Sequence, residues 1–93
     1  MNKTYSFGLC EGRHPMPVRE GIFPQRVEDI RQDLLEKRAD ERIPQDCTHL
    51  EVYVTGLTIA MMAVVKVCAR RGIHLTAYHF NNKYRMYTRQ EVF

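Results

Sequence analysis

The chain has no tryptophan, and its three cysteines are Cys10, Cys47 and Cys68. They are odd in number and widely spaced, and no C-x-x-C occurs, so neither a disulfide framework nor a zinc site is implied. Cys68 falls in an apolar helical run and reads as a small buried hydrophobe. Long apolar runs are also missing. The best candidate, VYVTGLTIAMMAVVKVCARRG, is interrupted by Lys66, Arg70 and Arg71. It falls short of the roughly 18 apolar residues that mark a membrane span, so no membrane partner is expected. The stretch MNKTYSFGLCEG has no apolar signal-peptide core. With the free thiols, this gives the expectation of a cytoplasmic protein. No large charge excess exists either: fourteen basic against eleven acidic residues leave +3. That suits a small anion rather than duplex nucleic acid, for which no basic stripe or DNA-binding motif is present. The four histidines, His14, His49, His74 and His79, lack ligand spacing. Neither a metal nor a cofactor is expected.

What is present is an ordinary mixture for one folded domain, residues 1–93, with 44% hydrophobic and 27% charged residues. A chain this short builds a modest core, and a dimer partner is expected to enlarge it. Residues 3–10 alternate as a strand. Residues 11–24 hold two glycines and three prolines and read as a long loop. Residues 25–39 read as an amphipathic helix with a stripe of Val27, Ile30, Leu34 and Leu35, and Glu28, Asp29, Asp33 and Glu36 on its outer face. Residues 40–47 read as a polar connector. Residues 49–55 form a second strand and 57–71 a largely buried helix, ended by Arg70, Arg71 and Gly72. Residues 73–80 form a third strand, Asn81-Asn82 a hairpin turn, and 84–88 an edge strand. The expectation is a small Rossmann-like α/β domain in two or three layers. Its order is β-α-β-α-β-β, with a mostly parallel sheet and a C-terminal hairpin.

In such a sheet, ligands bind beyond the carboxyl ends of the strands. Three segments are expected there. Thr55-Gly56-Leu57-Thr58 joins a strand to a helix. Gly56 permits a sharp turn, the helix N–H groups attract phosphate, and the threonines add hydroxyls. The same turn serves equally as an N-cap made by Thr55. Gly12-Arg13-His14-Pro15 sets a permanent cation beside an imidazole, suited to clamping phosphate and moving protons. An ordinary solvated loop would look the same. His79 sits near a strand end, opposite in face to Tyr78 and Phe80. Arg19–Arg26 reads as surface.

A strand ending in T-G-x-T, followed by x-x-M and an apolar helix, resembles the nucleotide-contacting turn of CRISPR-associated Rossmann-fold (CARF) domains. Here that is Thr55-Gly56-Leu57-Thr58 with Met61, and Leu57 stands where CARF domains usually carry a second glycine. The chain also resembles the small single-domain CRISPR-associated ring nucleases in its Arg13-His14-Pro15 loop, its Thr55–Arg71 segment and its Tyr84–Val92 strand pair. Val18–Asp46 lies outside the resemblance.

The resemblance implies a homodimer of the antiviral-defence type that binds a cyclic oligoadenylate. Cleavage would be metal-independent, by attack of the substrate 2′-hydroxyl. It gives Thr55, Gly56, Leu57, Thr58 and Met61 the ligand, and Arg13, His14 and His79 the chemistry. A non-catalytic nucleotide sponge would share the pocket. A regulatory adaptor docking through the charged helix is the other reading of these residues.

Overall fold

The computed structural model describes residues 2–12 and 16–93. The elements are β1 (Thr4–Cys10), β2 (Gly21–Phe23), α1 (Gln32–Arg42), β3 (His49–Val54), α2 (Thr58–Arg71), β4 (His74–Asn81) and β5 (Met86–Glu91). They form one five-stranded sheet in the order β2-β1-β3-β4-β5. β1 is parallel to β2 and β3, β3 is parallel to β4, and β5 returns antiparallel to β4. The mostly parallel α/β sheet with its C-terminal hairpin is therefore present.

The element order is corrected in one place. A strand, β2, lies inside the stretch expected to be a loop. Gly21-Ile22-Phe23 is too short to show a period of two, and all three residues are buried. Buried strands of parallel sheets read as plain apolar runs, and a three-residue run between Glu20 and Pro24 carries little signal.

The first helix is also corrected. It spans Gln32–Arg42, not 25–39, so Glu28 and Asp29 precede it, and the expected connector at 40–42 is helical. The Asp29 carboxylate accepts from the Arg31 N–H at 3.1 Å and from its guanidinium, an Asx-type turn that holds this stretch out of the helix. Leu35 and Ala39 on the helix and Ile43 just past its end form the buried stripe. Ile30 and Leu34 are exposed.

Both helices cover one face of the sheet, making two layers. Strand alternation puts Phe7, Leu9, Leu50, Val52, Leu75 and Ala77 on the helix side. All six are buried, and all but Ala77 share one core cluster with Ala60, Ala63, Val64 and Val67 of α2. The alanines let the helix lie close to the strands. The second helix is buried on this face only, since Met62 is 50% exposed. Its end is as expected: Gly72 adopts φ 66°, ψ 30°, a left-handed stop available to glycine at no cost.

Among the described residues the other face carries no helix. Ser6 donates to Glu51 at 2.6 Å and Tyr78 donates to Glu51 at 3.2 Å. Beside them Tyr53 stacks on Tyr78, and Tyr87 meets the Tyr53 and Phe80 rings edge-on. In the hairpin, Asn81 Oδ1 accepts from the N–H groups of Lys83 and Tyr84, so the turn runs past Asn82 and the last strand begins at Met86. No helix of the described residues is long and apolar enough to cross a membrane.

Candidate functional site

The carboxyl ends of β3 and β4 lie together, because Val54 is in register with His79. After Val54 the chain makes a tight reversal. The Leu57 N–H donates to the Thr55 carbonyl at 2.6 Å, a three-residue turn centred on Gly56. α2 begins at Thr58 with Leu57 as its N-cap, and no side chain caps it. The expectation that Thr55 acts as an N-cap is therefore corrected. Among the described residues the first N–H groups of α2 have no side-chain acceptor, and the helix dipole favours an anion there.

Thr55 has a different place. It is 2% exposed, and its Oγ1 is buried with no hydrogen-bond partner among the described residues. A buried hydroxyl without a partner is uncommon because its desolvation is not offset. Gly56 is exposed and its φ is not positive. A Cβ at this position meets nothing within 4 Å. The turn thus does not need glycine for its conformation, contrary to the expectation. What glycine supplies at this position is bare, accessible backbone.

Thr58 is exposed, and Leu57 and Met61 are half-buried against the core. Met61 also lines an apolar groove of about 260 Å³ with Met62, Val65 and the stem of Lys66. His79 is exposed at the same sheet edge as the turn. The structure therefore brings together five predicted ligand residues and His79. Arg13 and His14 lie outside the described residues.

The two helices start side by side. The Gln32 amide, at the first residue of α1, donates to the Ile59 carbonyl in the first turn of α2 at 2.9 Å. Gln32 Oε1 is buried and unpartnered. α1 likewise has no side-chain N-cap hydrogen bond. Among the described residues, two uncapped helix starts and two unsatisfied buried oxygens therefore belong to this end of the molecule.

Sequence reasoning missed Gln32, since it was placed in mid-helix rather than at a helix start. Arg26, expected at the surface, is exposed. Arg26 lines a groove of about 430 Å³ with Phe23, Pro24, Val27, Leu34 and Arg38. No sequence signal marks that groove, because it is built by the irregular 24–31 stretch against α1. At the opposite, amino end of the strands His49 and His74 stack at 4.8 Å. No group of three or more His, Cys, Asp or Glu able to hold a metal ion occurs among the described residues. Burial pushes the Cys68 thiol up to about 12 and raises that of Cys47 as well, which disfavours the reactive thiolate at both. No protein-family model, no curated protein and no solved structure matches this chain.

Proposed function

We propose that this chain binds the phosphate of a nucleotide at the turn of residues 55–58, with a cyclic oligoadenylate as the ligand. The observation that carries the reading is the buried, unpartnered Oγ1 of Thr55 beside the uncapped start of α2. A hydroxyl that donates to a phosphate oxygen gains the bond it lacks. The helix N–H groups and the bare backbone at Gly56 supply the rest of the cradle.

The ligand class comes from the T-G-x-T turn and Met61. In this reading Leu57 and Met61 give the adenine an apolar wall. His79, exposed on the neighbouring strand in register with Val54, is the proton carrier in this reading. Arg13 and His14 join on sequence grounds, as anion clamp and proton carrier. If cleavage occurs, the nucleophile is the ligand's own 2′-hydroxyl. The protein then contributes positioning and charge stabilisation.

The test is calorimetric titration with cyclic tri-, tetra- and hexa-adenylate, followed by chromatography of the ligand. Binding by the wild type and its loss in Gly56→Asp, with the melting temperature retained, is the expected result. Gly56→Asp sets a carboxylate where the phosphate would lie, in space that holds no other atom. Linear products ending in a cyclic phosphate identify a ring nuclease; intact ligand identifies a sponge. No binding of any of the three ligands overturns the proposal.

A further inference from the structure

The hairpin that joins β4 to β5 stands at the same sheet edge as the 55–58 turn. His79 is level with Val54, the last residue of β3. β4 then runs on through Phe80 to Asn81, about 7 Å further at roughly 3.3 Å per residue, before the chain turns at 82–85. β3 has already ended there, so the hairpin passes the 55–58 turn on the neighbouring strand.

Alternation puts His79, Asn81 and Met86 on the face of the sheet that the helices cover. His79 and Met86 are nevertheless exposed, Met86 by 59%. An imidazole and a thioether thus lie bare on the side where α2 begins.

The tip itself is held in shape. Asn81 Oδ1 accepts from the Lys83 and Tyr84 N–H groups at 2.9 and 3.3 Å. Arg85 takes a left-handed φ of 52°, which closes the turn. Tyr84 adds nothing to the core, being 64% exposed. Among the described residues its one ring contact is the Lys83 ammonium, 5.4 Å from the ring centroid. Lys83 and Arg85 are both exposed, and neither has an ion-pair partner among the described residues.

An exposed ring between two cations suits one ligand chemistry, a nucleobase attached to phosphate. The ring stacks on the base, and the cations meet the backbone charge. We propose that Tyr84 stacks on a base of the ligand whose phosphate lies at the 55–58 turn, with Lys83 behind the ring and Arg85 on an adjoining phosphate. This rests on the nucleotide reading of that turn and gives the ligand a second point of grip. A cyclic oligoadenylate carries more than one base. One lies on Leu57 and Met61, and the hairpin tip takes another. A rigid tip loses little freedom when it closes on the base, so most of the stacking energy goes into affinity.

Calorimetric titration of the full chain with cyclic tri-, tetra- and hexa-adenylate tests it. Tyr84→Ala is expected to raise the dissociation constant of the bound ligand at least about fivefold. Tyr84→Phe keeps the stacking ring and binds within about twofold of wild type. Arg85→Gln weakens binding and flattens its dependence on salt, because one phosphate contact is lost. The tip is exposed, so all three variants keep the wild-type melting temperature. A Tyr84→Ala variant that binds less than about fivefold more weakly overturns the proposal; if Gly56→Asp still abolishes binding, the turn keeps its role. Loss of binding in Tyr84→Phe assigns the contact to the hydroxyl and also overturns the stacking. A wild type that binds none of the three ligands removes the turn and the tip together. A linear oligoadenylate that needs Tyr84 but binds Gly56→Asp as well as wild type places the tip in a separate RNA site, and that outcome overturns it too.

Discussion

Gln32 and Ile59, 27 residues apart, tie the first turns of the two helices together through one amide-to-carbonyl hydrogen bond of 2.9 Å. The bond fixes how the uncapped start of α2 sits beside that of α1. Further along, the pairing is ionic. Glu36 of α1 is bridged by both Lys66 and Arg70 of α2. Those cations are half-exposed and each contributes little. The partly buried Gln32 contact is worth more. Gln32→Ala is expected to cost about 1 kcal/mol, the usual net value of one such bond. A urea unfolding midpoint equal to wild type would show that the amide adds nothing.

Thr55 separates folding from binding. Its hydroxyl has no partner among the described residues, so Thr55→Val keeps the shape and removes an unsatisfied group. Stability is expected to stay level or rise by up to about 1 kcal/mol. Thr55→Ser keeps the hydroxyl and loses a buried methyl, with an expected cost of about 1 kcal/mol. Nucleotide binding should run the other way, retained in Thr55→Ser and lost in Thr55→Val. Thermal melts and titration calorimetry on the two variants check both orders. If Thr55→Val destabilises strongly, the hydroxyl has a role in folding.

Two glycines of the β1–β2 pair should respond unequally to alanine. A Cβ at Gly21 comes within 2.7 Å of the Glu11 backbone nitrogen and 2.9 Å of the Phe23 carbonyl oxygen. Backbone atoms of paired strands do not move aside cheaply. A Cβ at Gly8 comes within 2.5 Å of the Met16 sulfur, the end of a flexible side chain. Gly21→Ala is expected to cost about 2 kcal/mol or more and Gly8→Ala less than about 1 kcal/mol. Equal melting temperatures for the two variants would contradict this packing.

These contrasts show what the sequence makes legible. The β3-turn-α2-β4 segment is plain because alternation in HLEVYV, a long apolar helix and a glycine stop follow one another. β2 was hidden because burial on both faces removes alternation. α1 was misplaced because Val27 and Ile30 carry helical spacing but lie before it, where Asp29 makes an Asx-type turn with Arg31. Its true stripe, Leu35-Ala39-Ile43, is narrow and contains an alanine, so it has little apolar contrast. Within the site, Thr55, Gly56 and Thr58 were visible as a motif. Their different states, one buried and two exposed, depend on packing that no spacing encodes.

Alkaline pH supplies a further test of the core. The Cys68 thiol is pushed up to about 12 from an ordinary 9.0, by burial first and by the neighbouring Cys47 second, against the favourable charge of Arg71. Burial also raises the phenols of Tyr53, Tyr78 and Tyr87, with Glu51 adding to the first two and Tyr53 to the third. All four groups share one sign. An acid whose folded pKa is raised stays protonated in the native state while the unfolded chain ionises. The unfolded state then binds fewer protons, and stability falls as pH rises. For Cys68 the loss begins near its unfolded pKa of about 9 and continues toward about 12. A single such group gives a slope of at most about 1.4 kcal/mol per pH unit in that window. Cys68→Ala removes this linkage and leaves the tyrosines in place. Its stability deficit against wild type, read by urea unfolding, should be constant from pH 6 to about 8 and shrink from about 9 upward. A deficit that stays constant to about pH 10.5 would mean that the thiol is not the linked group.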